Sequence, residues 1–489
     1  MKGHNLKKNT YFVATGQLAQ KILAFALIPF AARYLGDDGF GKFSLASTIM
    51  FFVFLFNDIG INTYITREIA KNKDLAGKYF YNSVLIKLSL IAVDFLGLTL
   101  FLRFANYTKD TNEAILIFAG YGIVTSIIQL SIGIFEAFER MEYEAIIFTF
   151  EKVFITALGI FLLHKGYGLF LFCGVFLLGG LISIGFSMYI LHRYFDFRIK
   201  YFTVDFQILK NLIKESFPFG VSILIATIYN NVGILLLSLM NSTNVVGWYS
   251  ASVKFVSITN IIPTILIAAT YPALSRGGLQ ANERVSELFT KCIRYLSFIA
   301  FPMIVGTTIL SEKIIYFIYG TEFLNAVVSL QILVWAAALV FFNIFFTGIL
   351  KAANLQKLMV KIQLIGLGIN IVSNLFLIKY YSYIGAAIST VVTEAFIFFA
   401  YFIIIHRKVV KLQNLRFIIK SVFATLIMSI FSFYFKDQNL LVNVAGSSAI
   451  FFGSLYIMKG FFLQEILPKS NKCMEYGLHG ESVKSINDK

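Results

Sequence analysis

The sequence predicts an all-α polytopic membrane protein of about 14 transmembrane helices. They form two parallel-repeat six-helix lobes around a central cavity, with two further helices at the C-terminus. Three observations predict this. Apolar stretches long enough to cross the hydrocarbon, about twenty residues or more, recur along the whole 489-residue chain. Hydrophobic residues make up 58% of it and charged residues only 14%, against about 25% charged in soluble domains. Short patterns of the first half also return, in the same order, in the second.

The spans fall at 9–35, 43–64, 79–102, 114–136, 145–163, 167–191, 214–240, 247–272, 291–311, 326–350, 358–378, 383–405, 416–435 and 440–463. No link between them is long enough for a separate soluble domain, so any function is carried by the bundle. The first span holds Lys21 near its middle, with Gln17 one turn before it and Gln20 adjacent. An ammonium at that depth costs roughly 3 kcal/mol or more unless it meets water, a partner or an anion. It therefore points to a polar interior cavity; the other reading is a structural pairing with a carboxylate. Arg33-Tyr34-Leu35-Gly36-Asp37-Asp38-Gly39-Phe40-Gly41 makes a glycine-rich outer turn, and the second span ends at Asn57-Asp58-Ile59-Gly60. A basic link with Arg67, Lys71, Lys73 and Lys78 follows.

In the third span Lys87 and Asp94 lie seven apart on one helix face, as a buried pair or as two groups in a shared cavity. Glu151 and Lys152 begin the fifth span and are expected to point to different sides. The sixth is glycine-rich. A basic link over 192–213, with Arg193, Arg198, Lys200 and Lys210, reads as a surface helix dividing the halves. The seventh span offers Asn230 and Asn231, the tenth Asn343, and the eleventh Asn370 and Asn374. For most of these, bridging neighbouring helices is the simpler role. Lys254 stands alone in the eighth span as the counterpart of Lys21. Glu394 is a lone acid in the twelfth, either an ion-coupling site or a partner for a lysine. Pro218, Pro263 and Pro302 fall in or near spans, where they kink or pack helices.

The net charge of +16 does not call for nucleic acid. Of the 42 Lys and Arg, 30 lie on or beside one alternate set of links and 8 on the other. That is the positive-inside asymmetry, which makes the number of spans even and both termini cytoplasmic. The surplus also attracts anionic lipid headgroups. Cys173, Cys292 and Cys473 are far apart and support neither a disulfide nor a metal cluster. The first apolar run is too long, and too charged at its centre, for a cleavable signal peptide.

The repeat aligns Gly41-Lys42-Phe43-Ser44-Leu45-Ala46-Ser47 with Gly247-Trp248-Tyr249-Ser250-Ala251-Ser252-Val253, an offset of 206. It also aligns Gly133-Ile134-Phe135-Glu136-Ala137 with Gly348-Ile349-Leu350-Lys351-Ala352, and Tyr167-Gly168 with Ile384-Gly385. Six spans per repeat put both halves in the same orientation, related by an axis along the membrane normal, with a substrate site between them. The expected organisation is an N-lobe over 1–191, a cytoplasmic amphipathic linker over 192–213 and a C-lobe over 214–406. Helices 13 and 14 follow within 407–463, and a cytoplasmic tail occupies 464–489.

Five stretches, RYLGDDGFGKFSLAST, NDIGINTYITREIAKNKD, GWYSASVKF, TYPALSR and YSYIGAAISTVVTEA, resemble those of the polysaccharide transporters, the Wzx-type flippases of O-antigen and capsule. That family sits in the multidrug/oligosaccharidyl-lipid/polysaccharide exporter superfamily, and the resemblance runs from about residue 5 to residue 460. It implies a flippase moving an undecaprenyl-diphosphate-linked oligosaccharide from the inner to the outer leaflet of the cytoplasmic membrane by alternating access. The protein would then be no enzyme. It further implies that Lys21 and Lys254 supply cationic groups to the cavity; Arg33 and Lys87 are further cationic candidates from the sequence, and Gln17, Gln20, Asn230 and Asn231 polar ones. Asp58, Asp94, Glu151 and Glu394 are candidates for coupling to an H+ or Na+ gradient; no metal and no other cofactor is implied. A polysaccharide polymerase and a chain-length regulator are candidate partners beside the lipid-linked glycan and membrane lipids.

A diphosphate bearing sugars crosses hydrocarbon only along a path of water, hydrogen bonds and positive charge. An ion-coupled multidrug or cation exporter of the same superfamily would favour an acidic cavity, which the two isolated lysines oppose. A lipid II flippase is a further alternative. A membrane-bound polymerase or glycosyltransferase would need acidic or His clusters on a sizeable loop.

Overall fold

In the hydrocarbon every backbone N–H and C=O must be satisfied within the segment, so the apolar stretches have helix as their only open-chain option. The structure, a computed structural model, describes residues 4–195, 203–276, 283–410 and 416–460. Its helices are α1 (His4–Asp58), α2 (Ile61–Lys71), α3 (Ala76–Ala105), α4 (Lys109–Ala137), α5 (Met141–His164), α6 (Gly168–Phe195) and α7 (Phe206–Met240). There follow α8 (Thr243–Thr259), α9 (Ile261–Arg276), α10 (Glu283–Tyr319), α11 (Ala326–Ala352), α12 (Gln356–Lys408), α13 (Arg416–Tyr434) and α14 (Leu440–Ile457).

Among the described residues, 12 helical stretches are long and apolar enough to cross a membrane. Two of them, Phe12–Asp58 and Gln356–Lys408, run to 47 and 53 residues and hold two crossings each, which recovers the fourteen spans. The chain reverses within them at single residues: Gly36, at φ 69°, in α1 and Ser382, at φ 52°, in α12. Gly36 takes the left-handed region at little cost because it lacks a Cβ. Ser382 is held there by donating its hydroxyl to Asn241 Oδ1 at 2.8 Å.

Four local expectations are corrected. The second span stops at Asp58 rather than at 64, because Ile59 and Gly60 adopt positive φ. The basic link after it is a helix, α2, which turns Ile61, Tyr64, Ile65 and Ile69 inward. The eighth span is broken at Asn260 into α8 and α9: Pro263 has no N–H for the Thr259 carbonyl, which ends α8 there. No separate surface helix divides the halves among the described residues. α6 continues to Phe195, and α7 starts at Phe206 behind Asp205, whose side chain caps Gln207 N and Ile208 N. The remainder of that linker, 196–202, lies outside the described residues, as do Cys473 and the tail beyond 460.

The chain forms two compact units, residues 1–279 with 311–409, and residues 280–310 with 410–489. In the smaller, Phe298, Ala424, Met428, Phe451 and Leu455 make a core, and Asn443 ties α14 to α13 by donating to the Ser432 and Phe435 carbonyls. The early part of α10 thus shares a core with α13 and α14.

In the larger unit an aromatic cluster fills the N-lobe. Phe43 lies 5.6, 5.3 and 5.7 Å from the rings of Phe118, Phe172 and Phe176. The lobes meet along the second arm of α1, residues 37–58, where two glycines give backbone-to-backbone contact. A Cβ at Gly41 would overlap the Thr243 carbonyl, and one at Gly247 the Asp37 carbonyl. These two glycines are the residues aligned by the 206 offset. At the other end of the arm, Gly60 lies against Ser216 and Gly220, and Gly220 against Ile59.

Replacing Gly41 or Gly247 by Val is expected to cost at least about 1–3 kcal/mol, the usual penalty for overpacking, and to lower the melting temperature of the detergent-purified protein. Gly174→Ala, where a Cβ meets nothing within 4 Å, serves as the control. Melting curves for the Val variants that overlay the control would refute the close seam.

Candidate functional site

Among the described residues, clusters of polar side chains interrupt the apolar bundle. The first lies inside the N-lobe, where the second arm of α1, α3 and α4 meet. Lys87 is fully buried and uses all three ammonium protons: on Asp58 Oδ1 at 2.8 Å, Ser126 Oγ at 2.6 Å and the Ser126 carbonyl at 3.0 Å. Ser126 Oγ donates to Asn57 Oδ1 at 2.8 Å, and Asn57 Nδ2 donates to Asp94 Oδ2 at 3.1 Å. Lys87 thus pairs with Asp58, not with Asp94 one helix face along. The reason is reach: Asp58 comes from a neighbouring helix straight onto the ammonium, and Asp94 is joined only through Asn57. Asp94 opens on a cavity of about 460 Å³ whose other walls are apolar, among them Phe52, Phe56, Val93 and Leu235.

The second cluster joins α4 to α5. Tyr121 donates its hydroxyl to Glu151 Oε1 at 2.5 Å, and Lys152 Nζ reaches the same hydroxyl at 3.4 Å. The adjacent Glu151 and Lys152 therefore share one tyrosine rather than diverging to opposite sides. Glu151 Oε2 is buried without a partner.

The third is a C-lobe cavity of about 160 Å³ lined by Tyr229, Asn230, Tyr249, Asn370, Asn374 and Glu394. Glu394 accepts from the Tyr229 hydroxyl at 2.5 Å and from Asn343 Nδ2 at 2.7 Å. Asn260, which also lines the cavity, and Asn343 and Asn374 each hold a buried Oδ1 with no hydrogen bond. Buried acceptors without donors are costly, and two of these, on Asn260 and Asn374, belong to residues of the cavity wall. Asn230 and Asn231 spend their amides on the carbonyls of Ala226 and Thr227 one turn back.

The fourth is the seam itself at the Gly36 end of the second arm of α1, the side whose links carry few lysines and arginines. Asp37 accepts from Asn244 Nδ2 at 2.8 Å and Trp248 Nε1 at 2.9 Å, and Asp38 accepts from the Thr243 hydroxyl. By the 206 offset Thr243 is the counterpart of Asp37 and Asn244 of Asp38, so the bonds cross as two-fold related surfaces require. Arg33 donates to the Ile318 carbonyl at 3.0 Å and to the Phe317 carbonyl. Glu322 accepts from the Asp37 N–H at 3.3 Å.

The two lysines singled out by the sequence stand apart from these clusters. Lys21 and Gln17 are exposed, Gln20 is half-buried, and Lys21 makes no hydrogen bond or ion pair among the described residues. It lies on a broad open face of α1 with Ala14, Leu18, Ile22, Phe25 and Arg33, while Gly16, Leu27 and Ala31 face the bundle. Lys254 in α8 is half-buried and reaches across the seam, its Nζ 5.5 Å from the Phe43 ring centroid, a cation–π distance. No contact joins Lys21 to Lys254. At 1.5 Å per residue Lys21 lies about 22 Å along its helix from Gly36, and Lys254 about 16 Å along its helix from Thr243.

The sequence reasoning missed Asp37, Asp38, Tyr121 and Tyr229. The repeat held a signal for the first two, since it places Asp37 and Asp38 opposite polar Thr243 and Asn244. Nothing comparable marked the tyrosines.

Two lobes joined across a pseudo-two-fold seam, with polar cavities and unpaired charges inside spanning helices, define a multi-pass membrane protein built as a transporter. The chain belongs to the polysaccharide biosynthesis protein family, which residues 6–277 match. It is similar to a putative O-antigen transporter of Escherichia coli K12, 23% identical over 407 residues, covering 80% of this chain and 95% of that protein. It is also similar to a probable low-salt glycan biosynthesis flippase of Haloferax volcanii, 21% identical over 381 residues, with 76% and 78% covered. Its fold resembles the lipid II flippase MurJ in an inward closed conformation, with a TM-score of 0.74 and 16% identity over 92% of this chain and 98% of that one.

Removing one partner of the Lys87–Asp58 pair strands a buried charge. Asp58→Asn and Lys87→Met are each expected to destabilise the protein by about 3–5 kcal/mol, read by unfolding in detergent. The double variant should recover most of that loss, and a double variant no more stable than either single one would contradict the pairing.

Proposed function

We propose that this protein flips an undecaprenyl-diphosphate-linked oligosaccharide from the inner to the outer leaflet of the cytoplasmic membrane by alternating access, for surface polysaccharide synthesis. The observation that carries the proposal is Lys21: an ammonium unpaired among the described residues, on the open face of a spanning helix. Facing lipid it would cost roughly 3 kcal/mol or more; facing a water-filled path it attracts a diphosphate. Lys254, reaching across the seam, adds a second cation on the opposing lobe. Gln17 and Gln20 offer hydrogen bonds to sugar hydroxyls along the same path, whereas Asn230 lines the C-lobe cavity with its amide on the Ala226 carbonyl. Arg33 and Lys87 have other duties, Arg33 on the carbonyls at the end of α10 and Lys87 on Asp58. Membership of the polysaccharide family and likeness to named flippases support the cargo class. Both termini are cytoplasmic in this proposal, and a polymerase and chain-length regulator receive the product.

The coupling step falls to the C-lobe cavity. Glu394 with the unsatisfied amide oxygens of Asn260 and Asn374 makes an oxygen-rich pocket suited to a proton or a sodium ion. Asp58 is already neutralised by Lys87, which weakens the alternative of a drug exporter with an acidic cavity.

Lys21→Ala and Lys254→Ala are each expected to abolish glycan export while the protein still inserts at wild-type level, scored by surface glycan and by membrane immunoblot. Wild-type export in both single variants would sink the cationic path. Glu394→Gln is expected to leave flipping in proteoliposomes indifferent to an imposed proton or sodium gradient; a gradient response equal to wild type would remove Glu394 as the coupling group.

A further inference from the structure

At the outer end of the seam the last turns of α10, the following turn Thr321–Phe323 and the end of the first arm of α1 line a half-open cavity of about 530 Å³. Its usable walls are Arg33, Tyr316, Phe317, Thr321 and Glu322. The rings of Tyr316 and Phe317 are 58% and 56% exposed. Aromatics near a membrane surface commonly form a lipid-facing belt, but a belt has no concave polar wall, and this cavity is lined by an arginine, a carboxylate and a threonine hydroxyl. The polar groups keep free valences. Arg33 spends Nε and Nη2 on carbonyls and leaves Nη1. Glu322 accepts from Asp37 through Oε2 and leaves Oε1. The exposed Thr321 hydroxyl has no partner among the described residues.

We propose that this cavity is a sugar-binding subsite, a station for one or two sugar rings of the glycan headgroup as it leaves on the outer side. A sugar ring presents an apolar C–H face, which suits the flat face of Tyr316 or Phe317. It also presents hydroxyls that donate and accept at once, matching the Arg33 donor beside the Glu322 acceptor. The same pair argues against the other charged candidates: the Glu322 carboxylate repels a diphosphate, and the Arg33 guanidinium repels a cationic drug. The subsite leaves the seam bonds of Arg33 and Glu322 in place, so the sugar is held while the lobes remain closed on that side. This inference rests on the flippase proposal for its biological meaning, and its chemistry is tested separately.

The test is saturation-transfer difference NMR on the full chain in lipid nanodiscs. The probes are methyl glycosides of glucose, galactose, rhamnose, N-acetylglucosamine and N-acetylgalactosamine. The expected result is transfer to at least one glycoside, reduced at least fivefold by Tyr316→Ala and by Thr321→Ala and retained by Tyr316→Phe. Neither substituted side chain takes part in the seam bonds, so a folding defect would show instead as a changed melting temperature. No transfer to any probe, or transfer unaffected by Tyr316→Ala, overturns the subsite. Flipping of lipid-linked glycan in reconstituted vesicles separates the two ideas: flipping without sugar transfer removes the subsite alone, and sugar transfer without flipping removes the flippase proposal while the subsite stands.

Discussion

Backbone contact between the lobes at Gly41 and Gly247 sets the rest of the structure. With no side chain on either residue, α1 and α8 approach until peptide groups touch, and the flanking Asp37 and Asp38 reach Thr243, Asn244 and Trp248 directly. In hydrocarbon the hydrophobic effect gives helices no reason to associate, so close packing and interhelical hydrogen bonds take its place. Small residues at the crossing and carboxylates at its edge provide both. The same proximity brings Lys254 of one lobe over the Phe43 ring of the other.

A second glycine contact, Gly60 against Gly220, lies at the opposite end of the same arm of α1. The 18 residues of helix from Gly41 to Asp58 span about 27 Å, close to the thickness of the hydrocarbon core. One arm of the N-lobe is therefore fastened to the C-lobe at both membrane faces.

Charge at depth divides into two kinds. Lys87 is surrounded by acceptors, with every proton used and Asp58 balancing it, and its role is to hold three helices together. Lys21 has no partner among the described residues and occupies an open face. Nothing in the residue types separates them, since both are single lysines in apolar spans. The difference lies in which helices stand next to each, and the same holds for Glu394, whose neighbours Tyr229 and Asn343 come from α7 and α11.

The number of crossings, their approximate positions, the parallel repeat and the family resemblance were all legible in the sequence, because they depend on local composition and short motifs: a span needs only length and apolarity. Even the contact between equivalent glycines was implicit in the 206 offset. Three-dimensional packing alone decided the ends of helices at Gly60 and Asn260, the partner of Lys87 and the sharing of Tyr121 by Glu151 and Lys152. It also decided the grouping of early α10 with α13 and α14, and the aromatic and charged lining of the outer cavity. These features depend on which faces of distant helices meet, and a helix of uniformly apolar residues carries almost no periodic signal of which face will be covered.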